Sequence, residues 1–389
     1  MSSLPRQVKL FGAVSLLNDF ASEMVYPLLP TLLTTTLGAG PAALGALDGA
    51  ADFASSVVKY RAGRLADRPA RRGALIVAGY VVAVLVRPVI ALAGAAWQVI
   101  GLRVADRVGK GVRTPPRDAL IADATPLELR GRAFGFQRGL DHVGAVLGPL
   151  AAWVLLSTGL LDVRGVIAAS IGPGVVVLAL AMWAVGQGTG DGGRGTGASR
   201  DNPSPVPPPP SRSLLAIPVF HAVRMPEALA ILWTQQIGVP VVQVTLLWAA
   251  LHVVKSGTSF WGGELADRLG PGRTLALGWT SYSAVAAGCA LAGALWHAWM
   301  LFLLLGVVAG LTESPERALV ARVAGARQGT GFGTYHAATG VAALAGGLTL
   351  GAVVERWGFA VAFAASAAGA LLLAAFSRKA RNTPHRVVA

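Results

Sequence analysis

Apolar residues dominate this chain in runs of about 20 residues, the length with which a helix crosses a bilayer. Twelve such runs can be placed, six in each half of the chain. They lie near residues 9–33, 42–62, 73–95, 97–121, 132–157, 163–185, 213–233, 240–260, 273–294, 297–320, 331–354 and 358–376. The pattern predicts an all-α integral membrane protein with twelve transmembrane helices.

The stretch between the two sets of six runs has no apolar periodicity and is rich in Gly, Pro and Ser. Such a composition is typical of a flexible linker. We therefore predict an N-terminal six-helix bundle over 1–185, a linker over 186–212, and a C-terminal six-helix bundle with a short basic tail over 213–389. No small-residue cleavage site follows the first run, so we predict that it is retained as a span.

Composition and charge support a membrane protein. Charged residues make up 13% of the chain, against about a quarter in soluble domains. The net charge of +14 comes from basic residues concentrated in alternate loops, which is typical of cytoplasmic loops rather than of nucleic-acid binding. We predict a bacterial inner-membrane location with both termini and the linker in the cytoplasm. The single cysteine, Cys289, excludes a disulfide framework and a cysteine metal site.

The stretch from Trp97 to Asp123 begins like a span and then fills with charge. On a helix, its polar residues share one sector of about 140°. They are Arg103, Asp106, Arg107, Lys110, Arg113, Thr114, Arg117 and Asp118. Ions are costly in hydrocarbon, so this face must meet either a watery cavity or opposite charges. We interpret it as part of a transport pathway.

The two halves repeat each other at an offset close to 200 residues. GRLADR at 63–68 matches GELADR at 263–268, and PRDAL at 116–120 matches PERAL at 315–319. Two pseudo-symmetric six-helix halves with a cavity between them are typical of transporters.

The repeated loop resembles the signature of the major facilitator superfamily, and the likeness extends over essentially the whole chain. The matching residues of the two copies include Gly63, Asp67, Arg68, Arg72, Gly263, Asp267 and Arg268. Ala70 stands where the family has a second glycine. The resemblance implies that these residues form a cytoplasmic gate, in which an acid meets a helix N-terminus and arginines anchor to carboxylates or lipid.

The fifth run resembles a second family pattern, through Gly135, Gly144, Gly148 and Pro149, with Ala152 in place of a last glycine. The family associates this pattern with antiporters, so the resemblance implies efflux.

NDFASEMVYPLLP at 18–30 and VGKGVRTPPRDALIAD at 108–123 resemble a widespread bacterial branch of the superfamily, whose substrates the motifs do not indicate.

Other charges fall inside the predicted spans. For proton coupling we single out Asp19 and Glu23, then Asp48 and Asp52. Arg138 and Asp141 of the fifth span join Arg103, Asp106, Arg107, Lys110, Arg113 and Arg117 as candidates for the coupling site or substrate cavity. The second half is sparser, with His221, Arg224, Glu227, His252, Lys255, Glu313, Glu316, Arg317 and His336. The alternative is that all these charges are ion pairs that hold helices in register.

Two transport hypotheses remain open. The first is a proton-coupled exporter of a small organic solute that works by alternating access. The second is proton-coupled uptake or exchange of an anionic metabolite, favoured by the basic residues of the fourth span. Nucleotide-binding and hydrolase motifs are absent from the sequence, so we predict no enzyme activity, no cofactor and no metal. The expected partners are a small molecule, protons and membrane lipid, with the chain as a monomer.

Overall fold

The computed structural model describes residues 4–66, 68–125, 130–188, 212–324 and 328–379, and within these ranges it is helical and holds no strand. The helices, in chain order, are α1 (Arg6–Val25), α2 (Leu29–Thr31), α3 (Pro41–Ala66), α4 (Pro69–Val89), α5 (Ala96–Asp123), α6 (Arg130–Ser157), α7 (Val163–Ala169), α8 (Ile171–Gly188), α9 (Arg212–Val223), α10 (Glu227–Gln236), α11 (Val241–Leu269), α12 (Pro271–Leu291), α13 (Leu295–Ala324) and α14 (Gln328–Lys379). The all-α prediction is confirmed.

Several of these helices join end to end into one longer segment. A 3-10 turn, α2 and a π-helical turn continue α1 as far as Thr36. The helix is irregular there because Pro27 and Pro30 lack the N–H that a regular helix needs. In the opposite sense, α14 is broken at Gly358, whose φ of 83° falls in the region that only glycine adopts freely. Allowing for these joints, the described helices are consistent with the twelve predicted spans.

Seven described stretches are long and apolar enough to cross a membrane by length and composition alone. They are Pro69–Leu92, Phe136–Ser157, Val163–Gln187, Ala216–Gln236, Val241–Ala266, Leu295–Val320 and Gly333–Ser377. The last covers 45 residues and, broken at Gly358, corresponds to two predicted spans. The helices outside this set include α1, α3 and α5, whose intramembrane charges lower their hydropathy.

The polarity of the helix surfaces is the reverse of that of a soluble protein. Leu92, Leu291 and Leu372 are 81%, 87% and 72% exposed, whereas Arg103 and Asp106 are 3% and 1% exposed. Large exposed apolar surfaces are stable only against another apolar phase. The chain is therefore a multi-pass membrane protein in which some charged side chains, such as Arg103 and Asp106, are buried between helices.

The chain forms two compact units. The N-terminal unit comprises Met1–Ala39, Ala50–Pro205 and Val241–Ala249. The C-terminal unit comprises Gly40–Gly49, Val206–Pro240 and Ala250–Ala389. In the first, α1 packs on α6 and α8, and α4 packs on α5; in the second, α14 packs on α9 and α12, and α12 packs on α13. The predicted linker over 186–212 lies mostly outside the described residues, so the domain boundaries stay a prediction.

One predicted span is interrupted. The run near 213–233 was expected to be a continuous helix, but the helix stops after Val223 and restarts at Glu227. Pro226 is the reason, because a proline disfavours the helical conformation in the residue before it and cannot donate a backbone hydrogen bond.

Candidate functional site

The main charge cluster of the N-terminal unit lies where α4 and α5 are in close contact. A Cβ on Gly79 would stand 2.6 Å from the Gly109 carbonyl oxygen, and a Cβ on Gly109 would stand 2.8 Å from the Gly79 carbonyl oxygen. The two backbones therefore touch, which no larger residue would allow. Arg113, one turn after Gly109, donates to the Gly79 carbonyl at 3.1 Å.

Asp106 lies at the centre of this cluster. Arg87 Nε donates to its Oδ1 at 2.9 Å, and Arg103 Nη1 approaches its Oδ2 at 3.4 Å. All three side chains are at least 94% buried, with exposures of 6%, 4% and 1%. A buried carboxylate that two guanidiniums contact is held as an ion, and removing either partner leaves an uncompensated charge.

Asn18 of α1 ties this cluster to a third arginine, Arg113. Its side-chain oxygen accepts from Arg87 and from Arg113, each at 3.1 Å, and its main-chain oxygen accepts from Arg87 at 3.1 Å. Arg113 also lies over the ring of Tyr80, with its guanidinium carbon 4.7 Å from the ring centre. Three helices, α1, α4 and α5, are thus joined by one network of amide, guanidinium and aromatic groups.

The glycine pattern of α6 faces α1. A Cβ on Gly144 would stand 2.9 Å from the Leu16 carbonyl carbon and closer to its oxygen, and one on Gly148 would stand 2.9 Å from the Met24 nitrogen. Pro149 is buried within the helix. Gly135 lies on the same helix, before this contact. The pattern therefore has a packing role, which is to let α1 and α6 approach backbone to backbone.

This α1–α6 seam brings Asp19 and Asp141 within electrostatic range of each other. Each carboxylate accepts a hydrogen bond from a neutral amide: Asp19 from Asn18 at 2.9 Å and Asp141 from Gln137 at 2.7 Å. In the described part of the chain neither has a basic group within 4 Å. Both are half-buried. Their environment is therefore unlike that of Asp106.

Ser15 connects the seam to α5. The Gln137 amide donates to Ser15 Oγ at 2.9 Å as well as to Asp141, and Arg117 donates to the same hydroxyl at 3.1 Å. Arg117 also donates to Asp118, its neighbour in sequence, at 2.9 Å. A chain of hydrogen bonds thus runs from Asp141 to a cation of α5.

The remaining candidates of the N-terminal unit are Glu23, Arg107, Lys110, Arg138 and Asp52, and they differ in their partners and their exposure. Glu23 accepts from the indole N–H of Trp248 at 2.9 Å, and Arg107 has Glu23 and Asp52 within electrostatic range. Lys110 is half-buried, near Asp19. Arg138 and Asp52 are exposed.

Asp48 is placed in the C-terminal unit. Its carboxylate accepts from the backbone N–H of Ala228 at 2.9 Å, in the first turn of α10. The first N–H groups of a helix have no partner within the helix, so a carboxylate there satisfies a donor and complements the helix dipole.

Arg72 is the member of the predicted gate with the clearest structural role. Its Nε donates to the Ala66 carbonyl, at the end of α3, at 2.7 Å, and its Nη1 pairs with Asp123, at the end of α5. One side chain thus joins the ends of two helices to the start of α4. A Cβ on Gly63 would stand 4.0 Å from the Cβ of Pro115 of α5. Arg68 is exposed. Asp67 and the side chain of Asp267 lie outside the described part of the chain.

The second gate copy is simpler. Arg268 pairs with Glu264 one turn earlier at 2.5 Å, and both are exposed. Gly263 has no neighbour within 4 Å of a Cβ position among the described residues. An exposed pair of this kind contributes about 0.3–0.5 kcal/mol.

The C-terminal unit holds its own ion pairs. Lys255 Nζ lies 2.6 Å from Glu227 Oε1, and Glu316 accepts from Tyr335 at 2.8 Å and lies 3.1 Å from His221 Nε2. These residues stand on α9, α10, α11, α13 and α14. The sequence indicated His221, Glu227, Lys255 and Glu316 as ionisable positions within spans, but it indicated neither their pairing nor Tyr335.

Some contributors to these networks carry no charge and were not predicted. Gln137 and Ser15 connect α6, α1 and α5, and the ring of Tyr80 lies under Arg113. Polar uncharged residues are common in membrane helices, so only their position opposite charged residues on neighbouring helices distinguishes them.

Comparison with known proteins identifies the family. The model of the Major Facilitator Superfamily matches residues 11–324 and, in a second match, residues 227–388. The chain therefore belongs to the Major Facilitator Superfamily, a family of transporters rather than enzymes. Its structure is similar to that of a POT family transporter in complex with a thioalcohol-conjugated peptide, with a TM-score of 0.77 and 11% identity over 97% of each chain.

Two sequence relatives are similar over part of the chain. An uncharacterised protein of Mycobacterium tuberculosis is 37% identical over 183 residues, which are 46% of this chain and 43% of the relative. An uncharacterised MFS-type transporter of Methanocaldococcus jannaschii is 36% identical over 145 residues, 37% of this chain and 36% of the relative. The chain thus matches less than half the length of these relatives.

Proposed function

We propose that this transporter is a proton-coupled exporter of a small organic solute, and that Asp19 and Asp141 carry the proton. The observation that supports this assignment is their hydrogen bonding. Each acid accepts from a neutral amide and has no basic group within 4 Å in the described ranges. A carboxylate with neutral partners can change its charge without leaving a bonded cation unpaired.

The same argument sets three of the other acids apart. Asp106 is bonded to two guanidiniums, and Glu227 to an ammonium, so protonation of either acid would leave a bonded cation unpaired. Asp48 holds the first turn of α10. We assign these three acids to structure, and Asp19 and Asp141 to proton transfer.

The glycine pattern links this assignment to export. Gly144 and Gly148 permit the α1–α6 contact that brings Asp19 and Asp141 together. The pattern that the family associates with antiport would then act by setting the distance between the two acids. Protonation changes the repulsion between two nearby carboxylates, so a small shift of α1 along α6 would couple proton binding to helix movement.

Uptake or exchange of an anionic metabolite is the second candidate. It is supported by the basic residues of α5, of which Arg107 and Lys110 are half-buried rather than enclosed. Arg103 and Arg113 are already engaged, with Asp106, Asn18 and the Gly79 carbonyl. The number of basic groups on α5 that remain accessible is therefore smaller than the sequence suggested.

We further propose that the linker, both termini and the gate lie on the cytoplasmic side of a bacterial inner membrane, and that the chain works as a monomer. The basic loops support the orientation. The two contacts of Arg72 support the gate, because they hold the ends of α3 and α5 to the start of α4.

Proton movement in proteoliposomes tests the proposal. With a pH-sensitive dye inside, cationic, neutral and anionic compounds are added outside in turn. Export by antiport predicts that one compound drives protons out of the lumen, and that Asp19→Asn or Asp141→Asn abolishes the signal. Asp162→Asn, which removes an exposed carboxylate, is the matched control. Inward proton flux with anions only, weakened by Arg107→Gln or Lys110→Gln, would establish the second candidate instead.

A further inference from the structure

The transmembrane stretch Ala216–Gln236 is interrupted near its midpoint, at residues 224–226. Non-helical backbone at membrane depth is tolerated only where protein encloses it or where it lines a cavity. Here the break is held from two sides. Tyr282 Oη accepts from the Met225 N–H at 2.7 Å, and Ser366, 2.6 Å from that hydroxyl, donates to the Val223 carbonyl at 2.5 Å. The interruption is therefore a stable feature of the C-terminal unit.

A cavity adjoins this break within the same unit. Its wall combines Arg224, Glu227 and Lys255 with apolar Leu251, Phe302 and Leu305. We call it the α10 pocket. Interrupted helices are a common location of substrate sites in transporters of other folds.

The polar side chains of the α10 pocket differ in whether they already have a hydrogen-bond or ion-pair partner. Glu227 is bonded to Lys255 at 2.6 Å. Tyr282 is occupied by the bracing of the break. The Arg224 guanidinium has no hydrogen bond and no carboxylate within 4 Å in the part of the chain that the structure describes. It interacts with Glu227, Glu313 and Glu316 only at longer range.

We propose that the α10 pocket binds a transported organic monoanion, with its carboxylate on Arg224 and its apolar body against Phe302 and Leu251. A guanidinium matches a carboxylate with two parallel hydrogen bonds. Glu227 and Glu316 already have partners, so neither is available to a cationic ligand. The same acids, with Glu313, repel a second negative charge, so the pocket favours a monoanion over a dianion such as a phosphate. This inference rests on the proposed transport function and specifies its substrate class.

Equilibrium binding to the full-length chain in nanodiscs tests the inference without any gradient. Benzoate is the probe, compared at one pH with benzyl alcohol, benzylamine and acetate. We expect benzoate to bind at least tenfold more tightly than each of the other three. Arg224→Gln should weaken benzoate binding at least tenfold, Arg224→Lys by less, and Phe302→Leu should affect benzoate more than acetate. Arg356→Gln, an exposed arginine of α14, should bind benzoate as the unaltered chain does.

Three outcomes would overturn the inference. They are binding of benzylamine or benzyl alcohol as tight as that of benzoate, equal benzoate affinity in Arg224→Gln and Arg356→Gln, and no benzoate binding to the unaltered chain. Each variant is first checked for a monodisperse elution profile. If Arg224→Gln fails this check, Arg224→Lys and Phe302→Leu give the decision, and unchanged affinity in both contradicts the proposal.

The binding assay and the proton assay fail independently. Suppose that benzoate binding depends on Arg224 but that proton flux is unaffected by Asp19→Asn and Asp141→Asn. The pocket proposal would then stand, and the proton assignment would be overturned. Proton flux that depends on the two acids, driven by a cation that does not need Arg224, would do the reverse.

Discussion

Gly144 of α6 and Leu16 of α1 touch through their main chains. A Cβ at position 144 would stand 2.9 Å from the Leu16 carbonyl carbon and nearer still to its oxygen. Because these atoms belong to the backbone, no rotation of a side chain can relieve the clash. The contact fixes how closely the two helices that carry Asp19 and Asp141 approach.

Gly144→Ala should therefore destabilise the protein and disturb transport together. Forcing a methyl group into a packed contact costs about 1–3 kcal/mol. Thermal unfolding in detergent and solute flux in proteoliposomes measure the two effects. Gly139→Ala on the same helix is the control, because a Cβ there meets nothing within 4 Å among the described residues. Equal stability and flux in the two variants would show that the seam tolerates a wider separation.

Asp106→Asn should destabilise the protein far more than Asp118→Asn. Arg87 and Arg103 would lose the charge that compensates them in a buried site, at a cost of about 3–5 kcal/mol. Asp118→Asn removes an acid that is also bonded to an arginine, but its side chain is 42% exposed, so the cost should stay below about 1 kcal/mol. Thermal unfolding compares them, and similar losses would mean that the Asp106 cluster is not held as ions.

Arg72→Lys should slow transport although it preserves charge. An ammonium cannot keep both the Ala66 carbonyl and Asp123 in the geometry of a guanidinium. Solute flux per molecule of inserted protein measures the effect. Arg71→Lys, at an exposed neighbouring position, should transport normally. If the two variants transport equally well, positive charge alone explains the basic residues of this loop.

Glu227 and Lys255 should show strong thermodynamic coupling. Removing either charge leaves its partner without a counter-ion, and the side chains of Lys255 and Glu227 are only 15% and 37% exposed. The double variant Glu227→Gln/Lys255→Met should therefore cost less than the sum of the two single variants. A double-mutant cycle on thermal unfolding should give a coupling energy of about 0.5–3 kcal/mol. Additive losses would indicate that the contact contributes nothing to the stability of the C-terminal unit.

The sequence predicted the helical fold because its signals are local. Apolar runs of membrane length and one-sided charge on α5 can be recognised within a single segment. The pairing of the charges could not be predicted in this way. Arg87 and Asp106 stand on different helices, and Asp48 reaches Ala228, 180 residues later. Such partners depend on how closely helices pack, which small residues such as Gly79 and Gly109 decide.

The break between α9 and α10 shows a different limit. Pro226 is visible in the sequence, but the apolar residues around it predict a continuous span. The bracing residues are distant in sequence: Tyr282 lies 57 positions after Met225, and Ser366 lies 143 positions after Val223. Only the fold reveals that the interruption is braced and adjoins a cavity.

The most direct test of the account compares gradient-driven transport with passive exchange for the solute that the proton assay identifies. Asp19→Asn and Asp141→Asn, with Asp162→Asn as control, are reconstituted and assayed both for accumulation driven by a pH gradient and for counterflow of labelled solute without a gradient. We predict that the first two variants retain counterflow and lose gradient-driven accumulation, because the solute path remains while the proton carrier is gone. Gradient-driven accumulation at the level of the control in both variants would contradict the assignment of Asp19 and Asp141 as proton carriers.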